Sequence, residues 1–145
     1  MSRPHLGHVH LKVTDLDRAV DFYTGLLDLD TTERHGNYAF LSFGDHHHDL
    51  ALQAHPAASS PPPQTTGLSH VAFEVDSVEA LGDHYEWLTE RDMQVSPVDH
   101  GISKAIYVDD PDGNGVELYV DTREADDEQW EGATTRFDPT EQSQP

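Results

Sequence analysis

The chain has 145 residues, no cysteine and a net charge of −20, from 28 acidic residues against 8 lysines and arginines. That length can bury one real core. Disulfides, thiolate nucleophiles and zinc–sulfur sites are excluded, and the charge argues against nucleic acid and anionic membranes as partners.

From the start of the chain, residues 6–13 alternate and run into Thr14-Asp15, a strand entering a helix. Leu16, Ala19, Val20, Tyr23, Leu26 and Leu27 then follow helical spacing along one apolar stripe. Short strands are expected over 29–33, 38–43 and 48–54, with Gly36-Asn37 as a turn and 44–47 as a loop. Residues 55–67, rich in proline and serine, form neither helix nor central strand and read as a linker. A strand over 68–75 and a helix over 78–91 follow, then weak strands near 93–95 and 104–108. Asp110-Pro111-Asp112-Gly113-Asn114-Gly115 is a dense turn signal, and 116–120 closes the second unit as a strand. Residues 122–145 are acidic and polar and read as a flexible tail in which Trp130 and Phe137 could dock. The expectation is an α+β fold of two βαβββ modules, 5–54 and 68–121, in a single domain over 1–121 with one curved mixed sheet.

The N-terminal residues carry no apolar run of the signal-peptide kind, and no segment has the length of a membrane span. A soluble cytoplasmic protein is therefore expected. Acidic residues are spread along the whole chain and lysine is scarce. Solvation in a very salty, halophilic cytoplasm accounts for this better than attraction of a cationic partner, which is the alternative.

The two modules are copies. Leu6-Gly7-His8-Val9-His10-Leu11-Lys12-Val13 aligns with Leu68-Ser69-His70-Val71-Ala72-Phe73-Glu74-Val75, and Asp21 and Tyr23 match Asp83 and Tyr85. Repetition of this length points to two copies of one supersecondary unit, and His8 and His70 are its shared polar residues. Glu117 lies between Val116 and Leu118 on the last strand, and a carboxylate on a shielded strand face needs a partner. Each residue alone has an ordinary explanation, as a packed or solvated histidine or a surface glutamate. Together, two register-matched imidazoles and one carboxylate favour a metal site. The first-module equivalent of Glu117 is Ala51, so three protein ligands are available. Such a set leaves open positions and suits Fe(II) first, then Mn(II).

Residues 7–23, from Gly7-His8-Val9-His10 through Asp15-Leu16-Asp17-Arg18 to Phe22-Tyr23, resemble the opening of the vicinal oxygen chelate superfamily. Asp110-Pro111-Asp112-Gly113-Asn114-Gly115-Val116-Glu117-Leu118-Tyr119 resembles its closing motif. The superfamily includes glyoxalase I, extradiol dioxygenases, fosfomycin resistance enzymes and bleomycin-binding proteins, and the resemblance spans residues 5–121. It implies His8, His70 and Glu117 as metal ligands. Ala51 stands where glyoxalase I has a fourth, glutamate ligand, which counts against that activity. The presence of a ligand set counts against a pure drug-binding role. Scattered arginines and only two lysines give little support for a fosfomycin-type phosphonate pocket.

His47-His48-Asp49-Leu50-Ala51 resembles the His-His-x-x-Ala stretch of extradiol dioxygenases, which implies His48 as acid/base. Residues 99–107 resemble a catechol 2,3-dioxygenase segment, which implies His100 and Tyr107 as groups that bond to the ring substrate. A polar loop explains the His46-His47-His48 triplet as readily as catalysis does. The same holds for His100 as a surface turn residue. The resemblance thus implies an extradiol dioxygenase acting with O2 on a catechol- or hydroquinone-like aromatic, in a homodimer. The site could be completed within one chain or across two. Another lyase, isomerase or transferase of the superfamily, or a binding protein with a vestigial site, is the alternative. Known two-domain extradiol enzymes carry a second copy of the fold, which residues 1–145 do not.

Overall fold

A computed structural model describes residues 2–141. Its elements are β1 (Val9–Val13), α1 (Leu16–Leu27), β2 (Asp30–His35), β3 (Tyr38–Ser42), β4 (Leu50–Ala54), β5 (Val71–Glu74), α2 (Val78–Thr89), β6 (Ser96–Asp99), β7 (Ser103–Asp109) and β8 (Gly115–Asp121). The β-α-β-β-β order occurs twice, as the repeat requires. The fold is α+β, with one mixed four-stranded sheet per module, ordered β1-β4-β3-β2 and β5-β8-β7-β6. The chain divides into two compact units. One holds the residues up to Thr66 together with Asp110–Asn114, and the other holds Gly67–Asp109 and the residues from Gly115 on. No helix among the described residues is long and apolar enough to cross a membrane.

In the first unit, β1 runs parallel to β4, while β3 is antiparallel to β4 and β2. Alternation puts Leu11 and Val13 in the core and His10 and Lys12 on the opposite face. Helix α1 starts at Asp15, whose carboxylate accepts from the Arg18 N–H at 3.1 Å. It buries Leu16, Ala19, Phe22, Tyr23, Leu26 and Leu27 and packs on β2, β3 and β4.

The turn Asp110–Asn114 supplies this unit with a polar anchor. Asp110 is 4% exposed, and it accepts from the Tyr23 hydroxyl at 2.7 Å and from the Asp112 and Asn114 N–H groups at 2.9 Å. Asp112 accepts from the Thr14 hydroxyl at 2.5 Å and from Arg18 at 3.0 Å. The two sequence motifs therefore meet through specific bonds, and the carboxylate of Asp110 is satisfied despite its burial. Burial first, then the Asp110 carboxylate, push the Tyr23 phenol well above its ordinary value. Tyr23→Phe is expected to lower unfolding free energy by about 1.5–3 kcal/mol in urea titrations, the usual worth of a bond to a charged group. The pH dependence has a definite sign. An unfolded tyrosine ionises near pH 10, whereas the folded phenol keeps its proton. The stability of the contact is thus complete below about pH 10 and is lost as pH rises beyond it, a loss that Tyr23→Phe should diminish.

In the second unit, β5 is parallel to β8, and β7 is antiparallel to β8 and β6. Ser77 caps α2 through the Ala80 N–H at 3.0 Å. Leu81 and Leu88 are fully buried, as are Ile106 and Leu118, and α2 packs on β7 and β8. The expected strand over 93–95 is displaced, since β6 begins at Ser96. Pro97 lies inside β6 and suits an edge position, where no ladder donor is needed.

Residues 122–141 contain no helix or named strand, yet they make definite contacts within this unit. Thr135 pairs antiparallel with Asp99, the Lys104 ammonium sits 5.6 Å from the Phe137 ring centroid, and Pro139 is buried. A Cβ on Gly82 would lie 2.6 Å from the Pro139 carbonyl oxygen, so the α2 glycine makes room for the tail.

Candidate functional site

Strand alternation separates the second sheet into two chemical faces. Val116, Leu118 and Val120 are buried with Ile106 and Val108 on the face that α2 covers. Glu117 and Tyr119 project to the other. In the registers, Glu117 lies opposite Ala72 on one side and Tyr107 on the other. The Glu117 carboxylate is buried, and its Oε1 lies 2.9 Å from His70 Nε2. The His70 and Tyr107 rings meet edge to face with centroids 5.5 Å apart. The Tyr107 hydroxyl in turn lies 2.9 Å from His100 Nε2. Burial, and then the Glu117 charge, push the Tyr107 phenol up to about 12. It is therefore a protonated donor at neutral pH, able to donate to one acceptor at a time. His70 and Tyr107 line a cavity of about 640 Å³ whose wall also includes Ser69, Asp109, Gly115 and Arg136.

Gly115 sets the close approach of β8 to the residues before β5. A Cβ there would run into the Ser69 carbonyl oxygen and lie 3.1 Å from His70 Cβ. In the sequence Gly115 reads only as part of a turn. Arg136 gave no sequence signal at all, being one arginine in an acidic tail.

The first unit carries the other candidates. The His8 and His48 rings lie with centroids 4.6 Å apart, and His48 is 4.9 Å from the Phe40 ring. The histidine loop is held from several sides. The Thr32 hydroxyl, at a register shift in β2, donates to the His47 carbonyl at 2.6 Å. The Ser42 hydroxyl donates to the His46 carbonyl at 2.5 Å, and Asp49 accepts from the Phe43 N–H at 2.8 Å. His47 Nε2 lies 3.0 Å from Glu33, and His47 Nδ1 lies 2.9 Å from His48 Nδ1. Burial first, then the neighbouring His8 and His47, hold the His48 imidazole below its ordinary value. Neutral imidazole is the form that accepts a proton. Ala51, opposite His10 and Phe40, occupies the place in β4 that Glu117 has in β8.

The predicted residues thus fall into two groups. His70, Glu117, Tyr107 and His100 are linked in one unit, and His8 and His48 in the other. Among the described residues, no group of three or more His, Cys, Asp or Glu side chains is gathered to hold a metal ion. The donor chemistry does suit one. An imidazole and a shielded carboxylate converge in the second unit, and an exposed imidazole stands at the repeat-equivalent position in the first.

Comparison with known proteins identifies the family. Residues 5–118 match the model of the Glyoxalase/Bleomycin resistance protein/Dioxygenase superfamily. Biphenyl-2,3-diol 1,2-dioxygenase 2 of Rhodococcus globerulus is 33% identical over 127 residues, covering 86% of this chain and 67% of that protein. Catechol-2,3-dioxygenase of Bacillus subtilis is 31% identical over 118 residues, covering 81% of this chain and only 41% of its own length. Metallothiol transferase FosB of Staphylococcus epidermidis is 29% identical over 121 residues, covering 81% of this chain and 82% of that one. A glyoxylase/bleomycin resistance protein/dioxygenase domain from Frankia sp. EAN1pec has the same fold, with TM-score 0.70 at 23% identity over 83% of this chain and 99% of that one. Two βαβββ modules with a polar strand face define the class, and the chain belongs to the Glyoxalase/Bleomycin resistance protein/Dioxygenase superfamily.

Proposed function

We propose that the protein is a metal-dependent extradiol dioxygenase that opens a catechol- or hydroquinone-like ring with O2. The observation that carries this reading is the His70–Glu117 pair, 2.9 Å apart at a buried carboxylate, beside a Tyr107–His100 contact of 2.9 Å. The similarity to diol dioxygenases supports the same choice.

In this reading His8, His70 and Glu117 hold Fe(II), or Mn(II) as the second choice. Two imidazoles and one carboxylate leave coordination positions for substrate. The bound ion would supply a shared coordination sphere for the diol oxygens and dioxygen. His48 accepts a hydroxyl proton from the diol, a role suited to an imidazole that is neutral near pH 7. Tyr107 donates a hydrogen bond to a substrate oxygen, with His100 orienting its hydroxyl.

We place the active form as a homodimer in a salty cytoplasm. Leu6 and Leu68 occupy equivalent places in the repeat, two residues before His8 and His70, and are 83% and 68% exposed. Paired exposed leucines beside both candidate imidazoles favour cover by a second chain. The acidic composition fits solvation at high salt.

Anaerobic loading with Fe(II), then a scan of catechols and hydroquinones for oxygen uptake and a yellow ring-fission product, tests the reading. Uptake with at least one diol is expected, and none with any diol overturns it. The similarity to a metallothiol transferase favours a second reading, an oxygen-independent lyase, isomerase or transferase. Turnover stimulated by Mn(II) or Ni(II) under strict anaerobiosis would select it.

A further inference from the structure

We propose that Arg136, from the C-terminal tail, selects substrates whose diol ring carries a short carboxylated side chain. This rests on the ring-cleavage reading and adds to it the substrate class.

Asp99 and Thr135 exchange backbone hydrogen bonds, Asp99 N–H to the Thr135 carbonyl at 2.6 Å and Thr135 N–H to the Asp99 carbonyl at 2.9 Å. The pairing is antiparallel, so Arg136 falls beside Val98. Val98 pairs with Ala105, two residues from Tyr107 on the same strand face. Arg136 therefore extends the polar face that bears Tyr107 and Glu117. It accordingly lines the same cavity as His70 and Tyr107.

Its charge is unanswered among the described residues. Arg18, Arg34 and Arg123 each hold a carboxylate, and Arg91 lies over the Trp87 ring. Arg136 enters no ion pair among the described residues. In a chain with 28 acidic residues, a guanidinium on a cavity wall without a carboxylate is available to a ligand. A guanidinium offers a planar fork that matches a carboxylate with two parallel bonds.

The spacing sets the ligand's size. Glu117 and Arg136 lie three strand spacings apart, and Arg136 is level with Tyr119, two residues along from Glu117, so their backbones are about 16 Å apart at about 4.8 Å per strand and about 3.4 Å per residue. An extended arginine side chain spans part of that gap, and a dihydroxyphenyl ring with a short acid side chain spans the rest. Asp109 lines the opposite end of the cavity, near Gly115. Its charge disfavours an acid group there and orients the substrate with its carboxylate toward Arg136.

Binding can be measured without turnover. Fe(II)-loaded protein under argon is titrated with 3,4-dihydroxyphenylacetate and with its methyl ester, followed by calorimetry. The acid is expected to bind about tenfold or more tightly than the ester, as one charge-assisted contact allows. Arg136→Gln should abolish that preference, and Arg136→Lys should keep part of it. Equal or tighter binding of the ester, no binding of the acid, or a preference unchanged in Arg136→Gln overturns the proposal. Oxygen uptake with the same two ligands is scored separately. Preference for the acid without uptake from either keeps the Arg136 subsite and removes the ring-cleavage reading.

Discussion

Glu117→Gln is expected to lower diol turnover by about a thousandfold or more, a barrier increase of roughly 4 kcal/mol, while far-ultraviolet circular dichroism stays that of the parent. The substitution keeps the side chain's shape. It removes the negative charge, and with it the oxygen donor that a divalent cation prefers. Glu117 is buried against His70, so an amide fits the same space without opening a cavity. The loss should therefore be chemical rather than structural. His70→Ala should remove as much turnover, and the double variant little more than either alone, because groups that act as one unit are not additive. A Glu117→Gln variant that keeps more than a tenth of parental turnover would exclude the carboxylate from the chemistry.

Gly115→Ala is the second large effect expected, and it comes from a single methyl group. The new Cβ would meet the Ser69 carbonyl oxygen, which is backbone and cannot rotate away, and would lie 3.1 Å from His70 Cβ and 3.3 Å from His70 Cα. Relief requires β8 and the entry to β5 to separate, which moves His70 relative to Glu117. A cost of about 1–3 kcal/mol in stability follows from overpacking, with metal affinity reduced about 10- to 100-fold as for other disturbed ligand supports. Urea titration and a competitive chelator assay measure the two effects. Gly7→Ala is the matched control, since nothing lies within 4 Å of a Cβ there, and it should change neither. An unperturbed Gly115→Ala would mean that the close approach is not needed to set His70 beside Glu117.

Much of the fold was legible because the apolar periodicity is unambiguous where elements are half buried. Both helices and strands β1, β3 and β8 alternate or repeat clearly, β4 opens as an apolar run, and β7 is only weakly patterned. Strand β5 begins at Val71 rather than at residue 68. Strands β2 and β6 are also displaced, and those two share a physical cause. Each is the last in its sheet's order. Every β2 residue is exposed, and β6 contains Pro97. Burial writes the hydrophobic pattern, and these strands have little of it. The tail's seat could not be read, because one backbone pairing at Asp99 and one glycine at position 82 leave no periodicity.

The registers also refine the internal repeat. Aligning Ala39 with Ala105 would match Leu41 to Tyr107. In the sheets Phe40 pairs with Ala51, and Tyr107 pairs with Glu117. Phe40 is thus the true counterpart of Tyr107, and the β3–β4 connection is longer by one residue. A slip of one residue exchanges the two faces of a strand, and identity at a single alanine could not detect it. Ala51 still falls at the place of Glu117, so the asymmetry of one carboxylate against two imidazoles survives. His70 beside Glu117 was readable from the repeat because parallel pairing of β5 with β8 fixes both positions. The contact between His8 and His48 was not, since the loop carrying His48 is placed by Thr32, Ser42 and Asp49 rather than by strand periodicity.

The proposed ring cleavage depends on a cation held by His8, His70 and Glu117. Its most direct test is elemental analysis of protein loaded with Fe(II) under argon and freed of loose metal by gel filtration. One metal ion per chain is predicted for the parent, and less than a tenth of that for Glu117→Gln and for His70→Ala. A parent without bound metal, or variants that retain it in full, would contradict it.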